Sequence, residues 1–135
     1  MARRRIRVDD EDDCPCTSGA AFGECCGSVL LGRSAATAEA LMRSRFTAFS
    51  IGDTAYLLRS WHPETRPATL ALDLDQRWTR LDIVAADAGG ALDATGVVAF
   101  VAHYDTPRGP GSLAERSRFS RVGGAWVYVD GDIGT

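Results

Sequence analysis

Lysine is absent from this chain of 135 residues, and all fifteen basic side chains are arginine. Together with abundant alanine and glycine, that bias reads as genome composition rather than chemistry. Eighteen acidic residues bring the net charge to −3, which excludes the chain as a whole from acting as an electrostatic magnet for nucleic acid. No apolar run approaches the roughly 20 residues needed to span a bilayer. The opening Met-Ala-Arg-Arg-Arg-Ile-Arg-Val followed by Asp-Asp-Glu-Asp-Asp offers no apolar core for a secretion signal, so the expected location is the cytoplasm. Internal repeats and low-complexity tracts are missing. So are paired carboxylates, a Ser-His-Asp set and a phosphate loop: Gly109-Pro-Gly111 reads as a loop and lacks the following Gly-Lys-Ser/Thr. These absences lean against an enzyme. Cysteine, finally, is missing from everything after Cys26.

What is present is concentrated. Cys14, Cys16, Cys25 and Cys26 fall within thirteen residues, as a C-x-C pair and then, eight residues on, a C-C pair. Four thiolates at this spacing can close a tetrahedron around one Zn²⁺ with Zn–S distances of about 2.3 Å. A bridge within either pair would be strained, although the crossed pairings Cys14–Cys26 and Cys16–Cys25 are sterically conceivable. Disulfide-stapled domains spread their cysteines across the fold and are secreted. One structural zinc is therefore the expected cofactor, with redox thiols and disulfides as the alternatives. A tetrathiolate site has no open position and is structural rather than hydrolytic.

Ahead of this block, Arg3, Arg4, Arg5 and Arg7 are answered at once by Asp9, Asp10, Glu11, Asp12 and Asp13. Arginines could touch phosphate, but the neighbouring acids repel it. Residues 1–13 thus read as a disordered charged tail, and nucleic-acid binding is only weakly supported.

The composition, 45% apolar, supports one domain of about 100 residues plus a short appendage. Ala38, Leu41, Met42, Phe46 and Phe49 recur at helical spacing, with a start near Ser34 or Thr37 and an end at Gly52. Arg45 lies in the middle of that apolar stripe, whereas Arg43 points away from it. A second helix through Tyr56, Leu57 and Trp61 is stopped by His62-Pro63. Strand character follows at about 78–86, 96–104, 113–121 and 125–130, with turns at 87–90 and 122–124. This order predicts an α+β domain, helices packed into the concave face of an antiparallel sheet. Alternation in the third strand puts Leu113, Glu115, Ser117 and Phe119 on one face. Arg45 and Glu115 are therefore expected to meet inside, as a buried ion pair or as the polar end of a pocket. Trp61 and His62 would belong to that pocket, which would suit a small anionic or carbonyl ligand. The plainer reading of His62 is a helix-end residue bonding free carbonyls. His103 is expected to be ordinary surface or core, and Trp61, Trp78 and Trp126 to be mainly core.

Cys14-Pro-Cys-Thr-Ser-Gly with Cys25-Cys26-Gly27 resembles the SEC-C motif, the zinc-binding module at the C-terminus of the SecA translocase. Ala40–Phe49, Tyr56–Pro63, Leu113–Phe119 and Gly124–Gly131 resemble the bacterial YchJ family. That resemblance implies a SEC-C-like zinc knuckle and linker at 14–34 and a nuclear-transport-factor-2-like (cystatin-like) domain at 35–132, a cone of helices on a curved antiparallel sheet. Thr17 stands where the module usually has glycine, so a positive φ there would be strained. The module in the translocase is a partner-binding element, which implies a zinc-binding, non-enzymatic adaptor with a protein partner at the knuckle. A small-molecule binder or enzyme using the domain's cavity is the alternative.

Overall fold

A computed structural model describes residues 6–134. Its centre is a four-stranded antiparallel meander in the order β1-β2-β3-β4, formed by Arg77–Ala88 (β1), Thr95–Thr106 (β2), Gly109–Val122 (β3) and Ala125–Ile133 (β4). Three short or medium helices precede it: Cys26–Leu30 (α1), Ala38–Ile51 (α2) and Thr54–Arg59 (α3), with a 3₁₀ turn at Phe22–Glu24.

The long helix begins and ends where its caps require. Thr37 takes an extended conformation and its hydroxyl accepts the Ala40 N–H at 3.0 Å. Gly52 closes the helix at φ 86°, in the left-handed region glycine enters without steric cost. Asp53 then caps α3 by accepting the Tyr56 N–H at 3.1 Å. Leu41, Met42 and Phe46 of α2 pack on Leu81, Val98, Phe100, Phe119 and Trp126 of the sheet, and this cluster is the main core. A second cluster joins Leu30, Ala48, Ile51, Tyr56 and Leu57. Register shifts between Trp78 and Arg80, Ile83 and Ala85, and Arg118 and Phe119 bend the sheet around the helix.

Several boundaries differ from the sequence reading. The second helix stops before Trp61, which instead forms a single parallel bridge with Tyr128; the Tyr128 N–H to Ser60 O and His62 N–H to Tyr128 O bonds, 2.9 and 2.7 Å, draw the chain onto β4. Gly109, Pro110 and Gly111 belong to β3 rather than to a loop. Gly111 pairs with Tyr104, whose ring lies so close that a Cβ would sit 2.7 Å from it, so the glycine is there to admit the ring. The Gly123-Gly124 hairpin turn forms with both φ angles positive, 60° and 85°.

The acidic run departs from a disordered tail over its described part. Asp10 and Asp12 carbonyls accept the N–H groups of Gly23 and Phe22 at 3.0 and 2.8 Å, and Asp13 bridges Ala21. The backbone of the run is thus the outer wall of the cysteine block, while its side chains stay exposed. Arg7 forms only a solvent-exposed pair with Asp9 at 3.4 Å, worth little. Arg3, Arg4 and Arg5 lie outside the described residues.

Candidate functional site

Two clusters of chemistry-bearing side chains lie on opposite sides of α2. On one, the sulfur atoms of Cys14, Cys16, Cys25 and Cys26 all fall within 4.8 Å of one another. Backbone turns fix them there: Cys14 N–H to Ala20 O at 2.9 Å, Thr17 N–H to Cys14 O at 3.0 Å, and Cys25 N–H to Phe22 O at 3.1 Å. All four are free thiols. The Cys16–Cys25 and Cys25–Cys26 separations of 3.7 and 4.0 Å are far from a covalent S–S bond. They are close to the edge, about 3.8 Å, of a tetrahedron with arms of about 2.3 Å. The donor set therefore fits a tetrahedral metal ion held by four thiolates.

The surroundings supply what thiolates need. The Arg43 guanidinium donates to the Cys16 carbonyl at 3.2 Å and lies 3.8 Å from its sulfur, while Glu39 holds its other side at 3.1 Å. The Ser18 hydroxyl is 3.3 Å from Cys25 Sγ and the Thr47 hydroxyl 3.7 Å from Cys14 Sγ. Hydrogen bonds from Cys14 and Cys26 hold the Cys16 thiol far below the usual thiol range. The Cys16 contact, with burial, pushes Cys14 up to about 11 against an opposing contact from Cys26, while contacts with Cys14 and Cys16 raise the Cys26 thiol. Ionising all four so close together requires a cation among them.

Thr17 joins the cluster to the sheet. It adopts φ 60°, costly for a β-branched residue. Its hydroxyl lies 2.6 Å from the Cys16 carbonyl and 3.1 Å from that of Leu81, and accepts the Leu81 N–H at 3.2 Å. The side chain that makes the turn strained thus also anchors it. Cys14, Cys16 and Cys26 are themselves part of the main core. Sequence reading anticipates the strain at Thr17 but missed its anchor on Leu81, and it missed Arg43 and Thr47 altogether as neighbours of the thiols. Arg43 does point away from the sheet, but toward the thiols rather than into water, and only the i, i+4 relation of Arg43 to Thr47 hinted at a shared face.

On the other side of α2, Arg45 is buried, with 3% of its surface exposed. Its Nη1 donates to the Leu57 carbonyl and the Ser60 hydroxyl, both at 2.7 Å. The guanidinium lies 5.0 Å from the Trp61 ring centre and 4.6 Å from that of Tyr128, in cation–π range. Burial pulls it down to about 10, against the fields of Tyr128, Tyr56 and Glu115, so it stays charged at neutral pH.

Glu115 forms no ion pair with Arg45 among the described residues. Its Oε2 accepts the Ser117 hydroxyl at 2.7 Å and, weakly, the Tyr128 hydroxyl at 3.4 Å. Burial, then the charge of Glu115, pushes the Tyr128 phenol up to about 12, so it remains a donor. Arg45, Trp61, Tyr128 and Glu115 instead share the wall of a cavity of about 130 Å³. Both charges line the cavity without pairing directly, because Arg45 is engaged by Leu57, Ser60 and two rings and Glu115 by the hydroxyls of Ser117 and Tyr128.

His62 does not line this cavity. Its Nδ1 accepts the Glu64 N–H at 3.0 Å, closing the turn around Pro63, and among the described residues its ring bonds no helix carbonyl. His103 lies on the outer sheet face, 2.8 Å from Asp82 and 3.2 Å from Arg80. The Trp61 and Trp126 indole nitrogens are buried without partners among the described residues.

Comparison with known proteins places this arrangement. A family model described as "YchJ, middle NTF2-like domain" matches residues 37–131. The chain belongs to the YchJ family. A UPF0225 protein of Streptomyces coelicolor is 57% identical over 121 residues, 89% of this chain and 94% of that one. The solution structure of a SEC-C motif containing protein from Rhodopseudomonas palustris superposes with a TM-score of 0.79 at 30% identity, covering 92% of this chain and all of the other. A SEC-C motif containing protein from Psychrobacter arcticus shares the fold, with a TM-score of 0.71 at 23% identity over 93% of this chain and 85% of its own. The nuclear-transport-factor-2-like α+β architecture of this YchJ family member is thus shared across both. No described helix is long and apolar enough to cross a membrane.

Proposed function

We propose that this protein is a zinc-carrying, non-enzymatic interaction protein, in which Cys14, Cys16, Cys25 and Cys26 hold one structural Zn²⁺ and the knuckle around them meets a protein partner. The observation that carries this reading is the closed set of four thiols, all within 4.8 Å. Four sulfur ligands leave no position for a substrate, so bound zinc would cross-link the chain rather than activate water. Nitrogen and hydroxyl donors from Arg43, Ser18 and Thr47 surround the sulfurs, the outer support that thiolate sites need. The SEC-C motif named in the two similar structures agrees with this. Just after α1 the chain presents Leu31, 90% exposed, two positions before Arg33, which lines a groove that runs past Cys25. An exposed leucine beside a cation is a suitable contact for an acidic, partly apolar protein surface.

The deciding experiment measures metal content of protein purified without chelator, with thiol titration before and after unfolding, followed by partner capture with the full chain and with Leu31→Asp. The reading expects about one zinc per chain, four thiols protected until denaturation, and a partner lost with Leu31→Asp while zinc is retained. Zinc-free protein with reactive thiols would overturn the metal assignment. A partner indifferent to Leu31→Asp and to zinc removal would overturn the adaptor assignment.

A further inference from the structure

The cavity under Arg45 is independent of the knuckle, and its chemistry is unfinished. Among the described residues both hydrogen bonds of the Arg45 side chain come from Nη1, and none comes from Nε or Nη2. The guanidinium is nevertheless almost wholly buried and lines the cavity. A buried cation with idle donors toward an open space is a place for an acceptor. On the remaining wall, Phe46, Trp78, Phe100 and Ala102 are apolar, so the body of an occupant must be apolar too. Glu115 lines the same space, and among the described residues its hydrogen bonds from Ser117 and Tyr128 both go to Oε2.

Size and charge narrow the class. The volume of about 130 Å³ is near the roughly 150 Å³ of an engineered cavity that admits benzene, which sets a body of about six non-hydrogen atoms. Glu115 already balances Arg45 in charge. An anion would enter as a third, unbalanced charge opposed by Glu115, and a cation would be opposed by Arg45; both also lose their hydration. A neutral carbonyl oxygen has two lone pairs for the idle guanidinium donors, and an amide N–H₂ can donate hydrogen bonds to Glu115. We infer that the concave cavity is a binding site for a small primary amide with a short apolar body, its carbonyl oxygen on Arg45 and its nitrogen toward Glu115. This is a binding function beyond the adaptor reading and does not depend on zinc.

Butyramide, butyrate and butylammonium share a chain length and differ in charge, and are the probes to use on the full-length ¹⁵N-labelled protein. Butyramide should produce saturable shifts of the Arg45 Nε–H resonance and of the amides of Phe100, Ser117 and Tyr128, at least about fivefold tighter than either ion. Ala102→Leu, which fills the cavity and leaves Arg45 in place, should abolish those shifts, and so should Arg45→Gln if that variant folds. Absence of saturable shifts with all three probes overturns the proposal. So does butyrate or butylammonium binding as tightly as butyramide, or butyramide shifts unchanged by Ala102→Leu. None of these results bears on metal content or partner capture, which test the adaptor reading separately.

Discussion

Helix α2 separates two buried polar clusters that reach stability by opposite means. The thiol cluster on one side is saturated: four sulfurs face one another, and Arg43, Ser18 and Thr47 surround them. In the cluster on the other side, Arg45 makes two hydrogen bonds from a single nitrogen and meets two aromatic faces, with Glu115 across the same cavity rather than paired with it. Arg43 and Arg45 are two positions apart, about 200° around the helix, and so face opposite ways. One arginine steadies negative charge on sulfur, whereas the other is solvated by rings and carbonyls. A closed set can fix structure, while an open one retains capacity to bind.

That contrast is sharpest in what each cluster should cost to break. The largest effect is expected at Cys16, fully buried in the main core. Cys16→Ser should lose metal and lower the stability of the whole chain by at least about 3 kcal/mol, in one cooperative urea transition. Cys25→Ser, at the half-buried ligand, should cost less, about 1–2 kcal/mol. A knuckle that melts alone while the sheet keeps its amide protection would restore two independent modules and break the comparison.

Next in size is Arg45→Ala, which leaves the Leu57 carbonyl and the Ser60 hydroxyl facing a void and should cost about 3 kcal/mol. Glu115→Ala should cost about 1 kcal/mol, and the double mutant should show a coupling below about 1 kcal/mol, because Tyr128 separates the two charges. A larger coupling by thermal or urea unfolding would mean that the charges pair directly. Thr17 offers a paired test, its two variants straddling these smaller effects. Thr17→Val keeps the left-handed strain and loses the bonds to Leu81, and should cost about 2 kcal/mol. Thr17→Gly relieves that strain while losing the same bonds, and should fall within about 1 kcal/mol of the native protein. Equal losses for the two variants would show that strain at this turn is negligible.

Much of this was legible before the structure, but unevenly. The α2 stripe, its Gly52 stop and the four strands follow from local periodicity and capping, which a sequence displays directly. The inward face of β3 follows from alternation at Leu113, Glu115, Ser117 and Phe119. The cysteine spacing announced a thiol cluster, and Thr17 announced its strain. What escaped depends on distance along the chain. Thr17 meets Leu81 and Arg43 meets Cys16 only after folding, and no local pattern encodes either encounter. Trp61 looked helical because its spacing was right, and β4 claimed it instead. His62 looked chemical because histidine can be, yet a turn N–H occupies its ring. Arg45 and Glu115 were correctly placed on inward faces, but periodicity cannot tell direct contact from contact through a third side chain.

The Thr17 hydroxyl has a consequence for association. It meets the Leu81 N–H and carbonyl on β1, the outermost strand on one side of the sheet. On the far side, β4 receives Trp61 as a bridge, and the Thr65 hydroxyl takes the Val129 carbonyl at 2.7 Å. Both rims of the meander therefore carry caps at the points where a foreign strand would begin to pair. Such caps are how natural sheets resist edge-to-edge aggregation. A foreign strand arriving at these points would meet side chains rather than free backbone, and a copy lacking residues 14–26 should be the one that polymerises.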